Sequence, residues 1–308
     1  MKVRNTYNYR VYGINVESEI VLPELLTNNY KEDACSDVII SYGSMPKEIN
    51  HEIQEGRWFN FEKDKMWFLI KDVAKYCILN GNNIIVDPYN NADSHEVKAF
   101  LLGSAFGMLL IQRNIIAIHG STVVIAEQAI TITGEQGAGK STLSSALRDK
   151  GHSFMSDDVS VTGYEEVTMV YPGYPQQKLC RDAMEKMGYD TKAYIRIDEC
   201  RDKYAIPVQQ NFIKEPIKLG AVFEIAMADC PNVEIEEITG IEKLKVLLKN
   251  IYRVEVTQHS GMSPDYFKNC LDISKTVPLF KVKRPKDKFS VEEQISIIEN
   301  TMKNYIGH

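Results

Sequence analysis

Residues 134–141 constrain the fold of this chain more than any other segment. They read Gly-Glu-Gln-Gly-Ala-Gly-Lys-Ser and fit the pattern G-x-x-x-x-G-K-[ST], the phosphate-binding P-loop. Such a loop must follow a strand and open a helix, because its main-chain amides and the helix N-terminus bind the phosphates together. Residues 129–133 form a strand-like run, and residues 141–150 have a helical pattern that Gly151 ends. The sequence therefore predicts an α/β nucleotide-binding domain.

The residue types of the loop indicate which ligand it binds. Glycines allow the backbone angles that turn amide groups toward phosphate oxygens. Lys140 can reach the outer phosphates, and the hydroxyl of Ser141 can bind Mg²⁺. These residue types predict a bound nucleotide and Mg²⁺. We expect ATP and leave GTP open, with nucleotide contacts from Gly134, Gln136, Gly137, Ala138, Gly139, Lys140, Ser141 and Thr142.

The strands before the loop predict the kind of sheet. Two β-like runs, residues 121–125 and 129–133, are separated by Ala126-Glu127-Gln128. So short a connection can join antiparallel neighbours but cannot make a parallel crossover. We therefore expect a mixed sheet, and not the all-parallel arrangement of motor-type proteins and small GTPases.

An acidic pair follows the predicted loop helix. Ser156-Asp157-Asp158 ends one β-like run and precedes another. One carboxylate could hold Mg²⁺ while the other accepts a proton from an attacking hydroxyl, and neighbouring acids push their pKa values apart. A turn without a chemical role is the alternative, and the nearby P-loop favours a functional role.

His119 precedes the strand pair and could orient a carboxylate or contact phosphate, although a lone histidine is more often structural.

These motifs together resemble a known family. His119-Gly120, the loop 134–142 and Ser156-Asp157-Asp158-Val159 are similar, in order and separation, to the catalytic domain of HPr kinase/phosphorylase, which shares a nucleotide-binding core with PEP carboxykinase. The resemblance implies that Asp157 is the general base, with His119 as its partner. It also implies that Lys140 contacts phosphate and that Ser141 and Asp158 hold the metal.

Beyond residue 165 the chain departs from HPr kinases. Residues 171–179 and 203–207 stand where those proteins carry a glutamate-and-glycine signature, so the resemblance does not extend to HPr as substrate or to the phosphorylase reaction.

Over most of its length the chain resembles the HPr-kinase-related proteins of ribosomal-peptide pathways. The resembling segments are residues 18–25, 100–104, 112–113, 171–173 and 250–253. Some members phosphorylate the C-terminal serine of lasso-peptide precursors, which implies a peptide or protein with an acceptor serine as partner. Related kinases are often oligomers, so a homo-oligomer stays open.

Two domains are predicted. Residues 1–92 have the pattern of a small, mostly stranded α+β domain that could recognise the substrate, including a hairpin over residues 77–86 turned by Asn80-Gly81. Residues 93–308 would be the kinase domain and begin with a buried helix. Three further helices should start at Thr239 and Ser290, by capping boxes, and at Ser263-Pro264.

Composition excludes several classes. The 36 Lys and Arg residues against 42 Asp and Glu residues give a net charge of −6, which disfavours nucleic-acid binding through bulk charge. The longest apolar run, residues 99–111, is shorter than a membrane span, and residues 1–5 do not begin an apolar signal segment. The six cysteines are scattered without a Cys-x-x-Cys pair, as expected for reduced thiols. We therefore expect a cytoplasmic protein without nucleic-acid or membrane partners.

Other charged and aromatic segments have plainer interpretations. The basic run at residues 281–288 is typical of a solvated strand end, although it could hold an acidic peptide. Lys178, Arg181 and Lys203 resemble ordinary surface charges, although they could stabilise transferred phosphate. The pairs Trp58-Phe59 and Trp67-Phe68 are interpreted as core strands.

The sequence leaves other functions open. A nucleotide sensor that transfers nothing would carry the same P-loop but would not need Asp157. A small-molecule kinase or PEP-carboxykinase-like enzyme, or an ATPase with water as acceptor, would also share the loop.

Overall fold

A computed structural model of the protein describes residues 5–28, 35–164, 166–198 and 202–306. The chain divides into two compact units, one from residues within 1–115 and 253–266, the other from residues within 116–252 and 267–308. The sequence placed the boundary near residue 92. The division comes later because the helical stretch after residue 93 packs with the first unit, where Tyr76 Oη donates a 2.9 Å hydrogen bond to the carbonyl of Val97.

The first unit is built on an eight-stranded sheet with the order β3-β1-β2-β4-β8-β7-β6-β5. Its strands are β1 (Tyr7–Val11), β2 (Ile14–Ser18), β3 (Leu26–Thr27), β4 (Val38–Tyr42), β5 (Phe59–Phe61), β6 (Lys65–Ile70), β7 (Ala74–Leu79) and β8 (Asn83–Pro88). The predicted hairpin is confirmed, since β7 and β8 pair antiparallel and both Asn80 and Gly81 have positive φ. Trp67 is fully buried, whereas Trp58 and Phe59 are about half exposed, so only the second aromatic pair lies in the core.

The second unit is built on a mixed sheet, as predicted. Its strands are β9 (Ile116–Ile125), β10 (Gln128–Gly134), β11 (Ser153–Ser156), β12 (Val159–Tyr164), β13 (Thr168–Tyr171), β17 (Ile217–Ala228), β18 (Glu234–Ile238) and β19 (Leu279–Pro285). Strand β10 is antiparallel to β9 and parallel to β17, which is parallel to β19. Pairing of β9 with β12, β12 with β13 and β13 with β17 closes a ring of five strands. A separate small sheet contains β14 (Gln176–Cys180), β15 (Ile195–Asp198) and β16 (Lys203–Pro207).

The α-helices are α1 (Lys47–Gln54), α2 (Ser94–Phe100), α3 (Phe106–Gln112), α4 (Lys140–Asp149), α5 (Arg181–Lys186), α6 (Ile241–Lys249), α7 (Val254–Ser260), α8 (Pro264–Thr276) and α9 (Val291–Ile306). The main core of the second unit includes Leu143 and Leu147 from α4 and Ile295 and Ile298 from α9. Burial of each such side chain stabilises the fold by about 2 kcal/mol. This core fixes α4, and therefore the loop before it, to the sheet.

Two helix starts can be compared with their predictions. The cap of α8 is confirmed, because Ser263 Oγ accepts a 3.0 Å hydrogen bond from the amide of Tyr266. The prediction of a capping box at Thr239 is wrong. Helix α6 begins at Ile241, its N-cap is Gly240, and no side chain caps it.

The predicted buried helix is present and longer than its apolar run. Helices α2 and α3 join through a π-helical turn at Leu101–Ala105 into one stretch, Ser94–Gln112. In length and composition this stretch of 19 residues could cross a membrane, with a mean hydropathy of 1.2, but 61% of its apolar window is buried inside the protein. Packing therefore accounts for its composition.

The five cysteines among the described residues are free thiols, in agreement with the prediction: Cys35, Cys77, Cys180, Cys230 and Cys270. Cys200 and residues 1–4 lie outside the described residues.

Candidate active site

The phosphate loop lies where the sequence places it, between β10 and α4. Gly134 has a φ of 137°, and a Cβ atom there would lie 2.3 Å from the carbonyl oxygen of Ile225, so only glycine lets β10 approach β17 this closely. Gly139 has a φ of 101° and is the N-cap of α4. The strand–loop–helix arrangement that a P-loop requires is confirmed.

The side chain of Lys140 lies along the loop itself. Its Nζ donates hydrogen bonds of 2.8 Å to the carbonyl of Gly134 and 3.1 Å to that of Glu135. Burial lowers the pKa of Lys140, while the carboxylates of Asp158 and Asp157 oppose that shift. Both carboxylates therefore act electrostatically on the lysine. Of the other predicted nucleotide contacts, Gln136 and Gly137 are exposed, Ala138 is buried, and Ser141 and Thr142 are half-buried on the first turn of α4.

The acidic pair occupies a tight turn between β11 and β12. We call residues 156–159 the acid turn. Asp158 has a φ of 66°, a left-handed conformation that few residues other than glycine, asparagine and aspartate adopt easily. Strand β9 pairs with both β11 and β12, and Val159 lies opposite His119. The sheet therefore brings His119 and Ser121, from β9, against the acids.

Asp157 is a buried carboxylate with neutral donors around it. Ser121 Oγ donates a 2.6 Å hydrogen bond to Oδ1, and the main-chain N–H of Lys178 donates a 2.9 Å bond to Oδ2. Burial and then the charge of Asp158 raise the pKa of Asp157. A carboxylate has about four acceptor positions, so two remain for a further donor.

Asp158 is more exposed and lies beside Lys178 and His119. Lys178 Nζ is 3.4 Å from its Oδ2, and His119 Nδ1 is 3.5 Å from its Oδ1. Burial alone would raise the pKa of Asp158, but Lys178, His119 and Lys203 outweigh it and hold the pKa well below the usual range. Two adjacent aspartates are therefore driven in opposite directions, which is how paired acids acquire different roles.

His119 contacts Asp158 and not its predicted partner, Asp157. Besides the carboxylate contact, Nδ1 lies 3.2 Å from the main-chain oxygen of Asp158. Burial lowers the pKa of His119, which favours the neutral ring near neutral pH. Since a carbonyl oxygen can only accept, Nδ1 carries the hydrogen and Nε2 keeps its lone pair. The implied pairing of His119 with Asp157 is therefore wrong.

Ser121 is a residue of the site that the sequence did not indicate, and Lys178 is one for which the sequence favoured another interpretation over a role at the phosphate. Lys178 was interpreted as a surface charge, yet it contacts both aspartates and its side chain is only 18% exposed. Tyr174 and then Asp158 raise its pKa against the effect of burial, which keeps it charged. No local pattern marks Lys178, because it reaches the site from β14 of the separate small sheet.

The other two cations after the acids differ from Lys178. The charge of Lys203 acts on His119, Lys140 and Asp158. Arg181 instead is bound to Asp202 and Tyr204, and its interpretation as a charge outside the site agrees with these contacts.

The predicted metal ligands suit Mg²⁺. The hydroxyl of Ser141 and the carboxylate of Asp158 are hard oxygen donors, the type that this ion prefers. Among the described residues no three His, Cys, Asp or Glu side chains are grouped to hold a metal ion. Mg²⁺ in nucleotide sites takes one or two protein oxygens and completes its shell with phosphates and water, so the available donors fit.

The chain is similar to known proteins at the level of solved structures. No protein-family model matches the chain, and no curated protein matches it. Among solved structures, the Hpr(Ser) kinase/phosphatase from Coxiella burnetii matches with 17% sequence identity and a TM-score of 0.31, over 61% of this chain and 95% of that chain.

Proposed function

We propose that the protein transfers the γ-phosphoryl group of ATP to a serine hydroxyl of a peptide or protein. One observation carries the proposal: two adjacent aspartates have different surroundings, neutral donors at Asp157 and the ammonium of Lys178 at Asp158, and both act electrostatically on the lysine of a phosphate loop. A raised pKa suits a general base, and a lowered pKa suits a permanent anion beside a metal ion.

The proposed reaction needs positioning and charge neutralisation more than covalent help. Main-chain amides of the loop bind the triphosphate, and Lys140 turns from the carbonyls of Gly134 and Glu135 to the outer phosphates. The serine oxygen forms a bond to the γ-phosphorus as the bond to the β–γ bridging oxygen breaks, and ADP leaves with that electron pair. The serine proton passes to a free acceptor position of Asp157.

The remaining residues support this step. Asp158 and Ser141 would hold Mg²⁺, which supplies charge neutralisation on the phosphates when bound. Lys178 and His119 fix the carboxylate of Asp158. The ammonium of Lys178 also adds positive charge where negative charge develops.

The acceptor is proposed from the resemblance of the sequence motifs. It is a serine of a ribosomally made precursor peptide, of the lasso type, or of a protein. The cytoplasmic location and the absence of nucleic-acid and membrane partners stay predictions.

A nucleotide sensor is the second candidate, and one observation favours it. Both oxygens of Asp157 already accept hydrogen bonds, and the residue is only 6% exposed. A base must reach its substrate, so these contacts would suit a purely structural aspartate. A sensor would bind nucleotide and transfer nothing.

The test is to incubate the protein with Mg²⁺, labelled ATP and candidate precursor peptides that end in serine. We expect the peptide mass to rise by one phosphate. Lys140→Ala should lose transfer and weaken nucleotide binding together, by about 10²-fold, because one fixed positive charge is lost. Lys150→Ala is the matched control, since Lys150 caps the far end of α4 and pairs with Glu292.

The outcomes separate the candidates. Nucleotide binding without any phosphate release would favour the sensor, and release to water alone would favour an ATPase. If calorimetry with Mg²⁺ detects no binding of ATP or GTP, the proposal of an enzyme fails.

A further inference from the structure

Arg284 lies at the end of β19, beside the phosphate loop. Strands β10, β17 and β19 are parallel, so their C-terminal ends meet at one edge of the sheet, where the loop begins. Arg284 lies opposite Met227, just beyond the point where Ile225 lies opposite Gly134. The fold therefore brings a distant part of the sequence to the back of the loop.

Arg284 differs from its neighbours in the basic run. Lys281 pairs with Glu224 at 3.6 Å, Lys283 pairs with Glu236 at 2.9 Å, and Lys288 pairs with Glu293. These lysines are therefore neutralised by nearby acids. In the described part of the chain, Arg284 makes no ion pair, and its guanidinium contacts only carbonyl oxygens.

Those carbonyls join the strand end to the loop. Arg284 Nε donates a 2.7 Å hydrogen bond to the oxygen of Ala138, and Nη2 donates a 3.3 Å bond to that of Gly137. Nη1 donates a 3.1 Å bond to the oxygen of Pro285, at its own strand end. One side chain thus holds two consecutive carbonyls of the loop from the side of β19.

The geometry of the peptide bond gives this contact a consequence. In a trans peptide the C=O and the next N–H lie in one plane and point in opposite directions. Because Ala138 C=O points to Arg284, the N–H of Gly139 points away from it. The N–H of Ala138 bonds to the carbonyl of Glu135, which closes the turn. In a phosphate loop the main-chain N–H groups face the anion, so Arg284 holds the Ala138–Gly139 peptide in the binding orientation.

The charge of Arg284 also favours a bound anion in the adjacent loop. Burial lowers its pKa, although an arginine remains protonated at physiological pH. A partly buried cation without a carboxylate partner is costly, and an anion bound in the adjacent loop would offset that cost. Lysine could not replace it, since its single ammonium lacks the rigid fork that reaches two carbonyls.

We propose that Arg284 is a positioning residue that fixes the phosphate loop for polyphosphate binding. The proposal rests on the proposed function in one respect, that the loop binds polyphosphate. Arg284 should therefore affect the affinity of the loop for the β-phosphate part of the ligand and should take no direct part in phosphoryl transfer.

The experiment compares Arg284→Gln and Arg284→Lys with Lys283→Gln as the matched control. Calorimetry with Mg²⁺ measures the affinity for pyrophosphate, ADP and ATP, and hydrogen exchange measures protection of the Gly139 amide. Loss of a charged hydrogen bond predicts that both Arg284 variants bind all three ligands about tenfold more weakly or worse. KM for ATP should rise while kcat at saturation stays unchanged, the pattern of lost uniform binding. Protection of Gly139 should fall, and Lys283→Gln should match the wild type.

Other outcomes overturn the inference. The inference fails if Arg284→Gln binds pyrophosphate with wild-type affinity. It also fails if only ATP binding is weakened, since pyrophosphate and ADP would occupy the same part of the loop. If Arg284→Gln does not fold, by circular dichroism, Arg284→Lys decides: equal affinity to the wild type refutes a role for the fork. If the wild type itself binds none of the three ligands, the proposed function has failed first.

Discussion

The phosphate loop and the acid turn, which we propose form one site, are built by different physical means. The loop works through its backbone: Gly134 lets two strands approach, and Gly139 takes a left-handed conformation before α4. The acid turn works through side chains, because the charge of each aspartate is set by groups from β9 and β14. Variants of the loop should therefore alter nucleotide affinity, and variants of the acid turn should alter the chemical step.

The contrast also holds within the acid turn. Asp157 and Asp158 are consecutive and chemically identical, yet hydroxyl and amide donors surround one and cations surround the other. Neighbouring groups, and not residue type, decide which of the two carboxylates takes up a proton more readily.

The largest effect that would sharpen this contrast is expected from Asp157→Asn. Asparagine can keep both contacts, since the hydroxyl of Ser121 accepts as well as donates a hydrogen bond. Loss of the base should lower kcat by about 10³-fold and leave nucleotide affinity unchanged. Steady-state kinetics and calorimetry measure both quantities, with the exposed Asp229→Asn as control. An unchanged kcat would show that the base is another residue.

A smaller effect is expected from Lys178→Met. This change removes the cation beside Asp158 but keeps the main-chain N–H that binds Asp157. We expect kcat/KM to fall by about 10²-fold, because fixed positive charge near the transferred group is lost. Lys192→Met, at an exposed position, is the matched control. If Lys178→Met weakens ATP binding as much as it slows transfer, the separation between loop and acid turn breaks down.

The smallest effect is a shift in pH dependence. In the proposed reaction deprotonated Asp157 is the active form, so kcat/KM should fall as the pH drops through its pKa, which lies above the usual 3.8. Burial and the charge of Asp158 both raise that pKa, so Asp158→Asn should move the acidic limb of the residual activity to lower pH. Measurement of kcat/KM against pH at saturating Mg²⁺ gives the pH at which activity falls on the acidic side. A shift to higher pH would assign it to another group.

Local signals in the sequence predicted much of the fold. The phosphate loop, the antiparallel strand before it and the hairpin at Asn80-Gly81 each depend on residues a few positions apart. The cap at Ser263 is equally local. Such features follow from backbone geometry that the sequence specifies within a single turn or loop.

Long-range pairing decided the rest. Lys178 comes from another sheet, and the partner of His119 depends on the register of β9 against β12. Trp58-Phe59 and Trp67-Phe68 look alike in sequence, but the first pair lies at the edge strand β5 and the second in β6. Gly240 occupies the N-cap position that was predicted for Thr239, which shows that a short motif only weakly determines the residue at which a helix begins.

The shielding of the cations of this site from solvent has a consequence for ionic strength. Mobile ions screen exposed charges beyond about 10 Å at 0.1 M salt, but they screen buried pairs far less. Lys178 is mostly hidden from solvent, and Lys140 and Arg284 are half-buried, in a chain whose net charge is −6. Under the proposed function, an acidic protein can thus retain a polyanion in physiological electrolyte, since close contacts, and not long-range attraction, would hold it.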